Sequence, residues 1–306
     1  MEKMNGVAIV GATGFVGSEI TLKFQKMGVP LYLCSKNGGK IHGIKCDSID
    51  VTKSQAVNDW ISEKKLDALI YLSSIIPKSF ENADWKLFDD NLKMHKSIFE
   101  VWKEKKFHLI YASTCSIYSP ITPIPWSEMT VIMPKNLYSF SKFVGELLFY
   151  MEFQTNKLPL TIMRINAPYG VNNRIKTVTN IFMEHALAGE ELLLHGKGIR
   201  EQDFLYVKDV ARAFWLAYQK QKLGIYNIAS GKTVTMRELA ELTISLTCSK
   251  SRIVYSGSED PQEKVKVSID VSKAQKELGF TPEFSLPDGL LDCICEYQKL
   301  AADRLR

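Results

Sequence analysis

A tyrosine and a lysine one helical turn apart, in the run Tyr138-Ser139-Phe140-Ser141-Lys142, are the most chemically suggestive pair in the sequence. On a helix the two side chains lie one above the other. An ammonium beside a phenol favours the phenolate, so Tyr138 is expected to titrate closer to neutrality and to act as an acid or base. Ser113 ends the apolar run FHLIYAS that precedes this pair, and Thr114 follows it directly. At the carboxyl end of a strand in an open parallel sheet, their hydroxyls would face the crevice in which ligands bind.

The second constellation is VAIVGATGFVGSEI, residues 7–20. A buried strand feeds into Gly11, Gly14 and Gly17, and a helix follows at once. A strand-to-helix turn without side chains lets backbone amides and a helix N-terminus approach a pyrophosphate. The spacing is GxxGxxG rather than GxGxxG, so the dinucleotide motif is matched in context and not letter by letter. The next strand ends Leu33-Cys34-Ser35-Lys36 with no carboxylate to accept from a ribose 2′-hydroxyl. A hydroxyl followed by a cation suits a 2′-phosphate, which makes NADP(H) the expected cofactor and NAD the alternative.

Both constellations need elements to hold them. Short apolar runs at 7–10, 31–34, 67–73, 107–113 and 160–165 alternate with helix-period stretches at 18–27, 85–105 and 139–156. Alternation of this kind predicts a Rossmann-type α/β fold: a doubly wound parallel sheet with helices on both faces. The second half is more irregular, with a short strand at 192–194, helices at 178–188, 208–219, 235–246 and 272–278, and a last helix beginning near Pro287 and Asp288. It predicts a smaller α/β substrate domain, formed by 166–203 and 231–306. The dinucleotide domain would take 1–165, with 204–230 returning to it.

The 306 residues are 45% hydrophobic and 24% charged, which excludes a disordered or low-complexity chain. A net charge of +5 without a basic arm argues against nucleic acid as a partner. No apolar run is long enough to span a bilayer, and the start has no signal-peptide anatomy. The six cysteines show neither a disulfide framework nor zinc-site spacing, so the expectation is reduced thiols, no metal and a cytoplasmic address.

In its motifs the chain resembles the extended short-chain dehydrogenases/reductases, in particular the NAD-dependent epimerase/dehydratase branch. The resemblance runs almost end to end. It includes the glycine motif, Asp47 in CDSID, LIYLSS at 69–74, Asn91, YASTCSIYS at 111–119, Tyr138 with Lys142, RINAPYG at 164–170, GKGIREQDFLYVKDVARAF at 196–214 and YNIASG at 226–231. The resemblance implies that Tyr138 is the acid/base, that Lys142 holds the nicotinamide ribose, and that Thr114 bonds the reacting oxygen. It implies cofactor contacts from Gly11, Thr13, Gly14, Phe15, Val16 and Gly17 in the first turn. Further contacts would come from Ser35, Lys36, Asp47, Ser48, Leu72, Ser73, Ser74 and Asn91. Substrate contacts are implied for Ser74, Thr114, Cys115, Tyr138, Asn166 and Arg200, and a homodimer through the helices at 85–105 and 139–156.

Departures from the family pattern narrow the chemistry. The 4,6-dehydratases carry Asp-Glu after the catalytic Thr; here Cys115 and Ser116 stand there. The cysteine and histidine of the 3,5-epimerising relatives fall at Ser116 and Asn172. What remains is hydride transfer at a sugar carbinol or ketone, as a ketoreductase first and as a 4-epimerase second; a reductase of non-sugar carbonyls is a further alternative. The sugar is expected to be nucleotide-activated, although Gln202 replaces the arginine that many relatives place before Asp-Phe. A second expected arginine is replaced near Asp260. Arg200, Arg174 and Arg252 are the cations nearest to compensating.

Overall fold

The run GVAIV puts Val7 and Ile9 on one side and Ala8 and Val10 on the other, and all four are wholly buried. Such a strand, β1 (Gly6–Val10), can only sit in the middle of a sheet covered on both faces. In this computed structural model, which describes residues 5–77, 84–173 and 175–304, it does.

After β1 come α1 (Phe15–Lys26), β2 (Leu31–Ser35), β3 (Gly39–Ile41), β4 (Ile44–Ser48), α2 (Ser54–Ser62) and β5 (Leu66–Tyr71). Then follow α3 (Trp85–Lys105), β6 (His108–Thr114), α4 (Leu137–Asn156), β7 (Leu160–Ile165) and β8 (Pro168–Tyr169). The rest of the chain forms α5 (Val178–Ala188), β9 (Leu192–Leu194), β10 (Glu201–Asp203), β11 (Leu205–Tyr206), α6 (Val207–Lys220) and β12 (Gly224–Ile228). It ends with β13 (Thr233–Thr235), α7 (Met236–Thr247), β14 (Ile253–Tyr255) and α8 (Leu286–Arg304).

Among the described residues eight strands make one sheet in the order β12-β7-β6-β5-β1-β2-β4-β3, parallel throughout except for β3. Helices α1 and α6 cover one face, where Ile20, Phe24 and Phe214 meet Val7 and Ile9. Helices α2, α3 and α4 cover the other, where Trp60, Trp102 and Phe149 meet Ala8 and Val10. The doubly wound parallel sheet predicted from the alternation is therefore present, and the strand order reverses at β1, which opens a crevice above its carboxyl end.

Neither sheet edge offers a long free strand. On one side lies β3, three residues long and mostly exposed. On the other, the outward groups of β12 are taken by side chains: Lys273 Nζ donates to the Ile225 carbonyl and the Asn227 amide donates to Glu128 Oε1.

A separate apolar cluster gathers Phe182 and Met183 of α5, Leu239 of α7 and Leu290 and Cys293 of α8 under the far end of the crevice. Three two-stranded pairings, β8 with β11, β9 with β14 and β10 with β13, brace it. Two local details differ from the sequence reading. Helix α1 starts at Phe15, not 18, because Gly14 is already its N-cap. The helix expected at 272–278 is present, its last five residues, Ala274–Leu278, wound as a π-helix. The β3–β4 hairpin was not expected at all; its glycines and lysines mask the alternation.

Candidate active site

The cofactor end is built by a turn that tolerates no side chain. Gly11 has φ +95, and a Cβ there would lie 2.9 Å from the Ser73 amide nitrogen. At Gly17 a Cβ would lie 2.2 Å from the Gly11 carbonyl oxygen, so α1 can start this close to β1 only with glycine. No side chain caps α1 at Gly14 and no acidic residue lies in its first turn. Its first amides and positive dipole end therefore suit an anion. Gly11, Gly14, Phe15, Val16, Gly17, Leu72 and Ser74 line one wall of a cleft of about 680 Å³. This cradle fits a dinucleotide pyrophosphate. Thr13 and Ser73 lie in the same loops but do not line the cleft.

Four further expected cofactor residues meet at the ends of β2 and β4, where Cys34 pairs with Asp47 and Ser35 with Ser48. Pairing with the unforeseen hairpin buries Ser35, which sits 3.5 Å from the Cys46 thiol, whereas Lys36 is exposed. The Asp47 carboxylate accepts from Trp60 Nε1 at 3.0 Å and pairs with Lys45 at 2.8 Å; both hold it below the usual carboxylate range. Ser48 Oγ donates to the Lys36 carbonyl. Asn91 is fully buried, away from the cleft wall. Its amide donates to Ile75 O and Ser141 Oγ while its oxygen accepts from the Ile75 amide, so it brackets the 72–76 wall against α4.

The opposite wall carries Ser113, Thr114, Tyr138 and Lys142. Helix α4 begins with a capping box between Asn136 and Ser139, which fixes the turn bearing Tyr138. Lys142 is 3% exposed, and its Nζ donates to the Ala112 carbonyl at 2.8 Å. Burial lowers its pKa to about 7, opposed by the Glu146 carboxylate. Burial also raises the Tyr138 phenol to about 12. The expectation that the lysine draws the phenol toward neutrality is thus not met in this structure. Desolvation of the phenolate sets that direction.

Thr114 Oγ1 accepts from the Ser116 amide and lies 3.0 Å from Ser116 Oγ. The buried Ser113 Oγ has no hydrogen-bond partner among the described residues. An orphaned hydroxyl on a cleft wall is a polar group that a ligand can satisfy.

Behind this wall lies an ion pair that sequence reasoning did not single out. Glu146 and Arg164, both almost wholly buried, pair at 2.7 Å, and Arg164 also donates to Tyr118 Oη and the Glu128 carbonyl. The i, i+4 spacing of Lys142 and Glu146 was the available signal.

At the substrate end the expectations divide. Cys115 turns away from the cleft into a cluster with Ile117 and Trp126, and its thiol donates to the Arg164 carbonyl. The 3₁₀ turn at Cys115–Ile117 rotates it there, so it does not face a ligand. Asn166 is 6% exposed, does not line the cleft, and commits its amide to the Asp203 carbonyl. Arg200 does line the cleft, beside Gln202 and Gln262. Its guanidinium donates to Gln262 Oε1 at 3.1 Å and faces Asp260 at 3.7 Å. Arg252 is exposed and does not line the cleft, and Arg174 lies outside the described residues. Among the described residues no His, Cys, Asp and Glu groups gather as metal ligands, and no helix is long and apolar enough to cross a membrane.

The model of the NAD dependent epimerase/dehydratase family matches residues 7–229. Among curated proteins, the UDP-glucuronate 4-epimerase of Thermodesulfobacterium geofontis is 26% identical over 93% of this chain and 87% of its own length. The dTDP-4-dehydro-6-deoxyglucose reductase of Escherichia coli is 26% identical over 94% and 96%. Among solved structures, the UDP-glucose 4-epimerase of Thermotoga maritima with UDP-glucose superposes with a TM-score of 0.88 at 22% identity, covering 97% of this chain and 99% of that one.

Proposed function

The chain belongs to the NAD-dependent epimerase/dehydratase family, and from that premise we propose that it transfers a hydride at a carbinol or ketone carbon of a nucleotide-activated sugar, working as a ketoreductase. The observation that carries this reading is the cleft itself. Thr114, Tyr138 and Lys142 line one wall and the Gly11–Gly17 turn lines the other, so proton donor and dinucleotide cradle share one space. A bound nicotinamide supplies the hydride. Tyr138, protonated at neutral pH, gives its proton to the oxygen of the reacting carbonyl, and Thr114 Oγ1 bonds the same oxygen. Lys142 holds the nicotinamide ribose and, when charged, stabilises the phenolate left behind. Arg200 is the cation placed for a substrate phosphate, once that anion competes with Asp260.

NADP(H) is the proposed cofactor, supported by the exposed Lys36 after β2 and by the missing carboxylate there. Since Ser35 is buried, the 2′-phosphate preference rests on Lys36 alone. Lys36→Ala should weaken NADPH binding about tenfold, the loss of one charge-assisted contact, and leave NADH affinity unchanged. Fluorescence titration with both reduced dinucleotides measures this, and equal losses for the two would refute the assignment. The second reading, a 4-epimerase that returns the hydride to the opposite face, is favoured by the 26% relation to UDP-glucuronate 4-epimerase. The deciding experiment is a screen of purified protein against nucleotide-sugars and their 4-keto derivatives with both dinucleotides. Net dinucleotide oxidation on a keto-sugar supports the reductase; interconversion without net oxidation supports the epimerase; no turnover of any sugar overturns both.

A cytoplasmic homodimer completes the proposal. The thiols of Cys34, Cys46, Cys115 and Cys293 are free and buried, in keeping with a reducing compartment. Helices α3 and α4 expose Trp85, Phe140, Leu147 and Met151, an apolar face suited to a second copy. Sedimentation should give about twice the monomer mass, and Met151→Glu should halve it; a wild-type monomer would exclude the dimer.

A further inference from the structure

Behind the Tyr138–Lys142 turn lies a buried polar cluster that the proposed chemistry does not use. Tyr71 on β5, Tyr111 on β6 and His95 on α3 are at most 1% exposed, and all three converge on α4. Tyr111 Oη donates to the Lys142 carbonyl at 3.2 Å, and the Lys142 ammonium lies 5.0 Å from the centre of the Tyr111 ring. His95 Nε2 lies 3.0 Å from the Ser141 carbonyl, and its Nδ1 lies 2.8 Å from Tyr71 Oη. A carbonyl only accepts, so Nε2 carries the proton and Nδ1 accepts from the Tyr71 hydroxyl. The rings of Tyr71 and Tyr111 stack at 5.3 Å, locking the two anchors to each other. A Cβ at Gly145 would lie 2.6 Å from Tyr111 Oη and 2.9 Å from His95 Nε2, so the helix approaches this cluster only because that position is bare.

Packing alone does not call for this arrangement. Apolar rings of the same size would fill the space without desolvating two phenols and an imidazole. These polar atoms instead take the carbonyls of two successive residues, Ser141 and Lys142, on the turn that follows Tyr138. We propose that Tyr111 and His95 are positioning residues that fix the Lys142 turn of α4, Tyr111 also stabilising the ammonium through its ring face. The consequence for turnover rests on the role given to Lys142 above. The groups facing Lys142 are Glu146 on its own helix, the Tyr111 ring from β6 and His95 from α3. Burial holds His95 down to about 3, so it stays neutral and its tautomer is constant through the working range.

The test uses the full chain labelled with [ε-¹³C]lysine, in which the Lys142 resonance is assigned by its loss in Lys142→Met. Tyr111→Leu removes the ring face and should lower the Lys142 titration midpoint by about 0.5–1 pH unit. Tyr111→Phe keeps the face and loses only the hydroxyl. It should restore the midpoint, yet bind NADPH roughly threefold to tenfold more weakly because the carbonyl anchor is gone. A wild-type midpoint in Tyr111→Leu, or wild-type NADPH affinity in Tyr111→Phe, would overturn the proposal whatever happens to thermal stability. If Lys142→Met left NADPH affinity untouched, the role of Lys142 would fail instead, and the midpoint shift would still report on Tyr111.

Discussion

Replacing Tyr138 with phenylalanine should cut kcat by a factor of ~100 or more while dinucleotide affinity stays within about twofold. The phenol stands at about 12 in this structure, raised by burial, so near neutral pH it is present almost entirely as the proton donor. A ketone reduced by hydride needs that proton at its oxygen, and phenylalanine keeps the ring on the cleft wall while removing it. The Gly11–Gly17 turn lies on the opposite wall and is not disturbed. Stopped-flow measurement of hydride transfer, alongside fluorescence titration of the dinucleotide, separates the two effects. Near-normal turnover would remove Tyr138 from the chemistry. The pH dependence has a definite sign as well. Lys142, lowered to about 7, is charged below that value, so in the wild type kcat should decline on the alkaline side as the ammonium is lost.

The second large effect falls on stability. Glu146→Gln leaves Arg164, at 2% side-chain exposure, without its carboxylate in the interior. Breaking a buried pair from one side costs about 3–5 kcal/mol, because the remaining charge is uncompensated. For a chain of this size that lowers Tm by about 5–8 °C in scanning calorimetry. Replacing both partners, Glu146→Leu with Arg164→Met, should recover most of the loss, since the desolvation cost of both ions disappears together. A Tm change under about 2 °C in Glu146→Gln would show that the pair is not the anchor described here. Glu146 is also the group that opposes the burial of Lys142, so the single variant should move the alkaline decline to lower pH.

These two sites also mark where sequence reasoning reached and where it stopped. Glycines at 11, 14 and 17 announce a strand-to-helix turn by their spacing, and β1 and α1 deliver it. Tyr138 and Lys142 are paired by helical period, which is local, and both line the cleft. Their protonation was not legible, because desolvation depends on what packs around them. Ser35 looked available at a strand end, but the β3–β4 hairpin buries it, and that pairing comes from residues with weak strand signals. Cys115 follows Thr114 directly, yet one 3₁₀ turn sends its side chain into the core. Asp260 opposes Arg200 from a segment about sixty residues away, a proximity no local pattern encodes.

The way the large sheet terminates bears on the behaviour of the protein at high concentration. An uncovered strand edge is a template on which another polypeptide can add itself, and stacking of that kind leads to fibrils or precipitate. On one flank the available ledge is three residues with Lys40 at its centre. On the other, Lys273 and Glu128 occupy the bonding positions that an incoming strand would need. Self-association of folded molecules is thereby steered away from sheet extension, and the two plugs become the sites whose loss would turn a well-behaved solution into one prone to clumping.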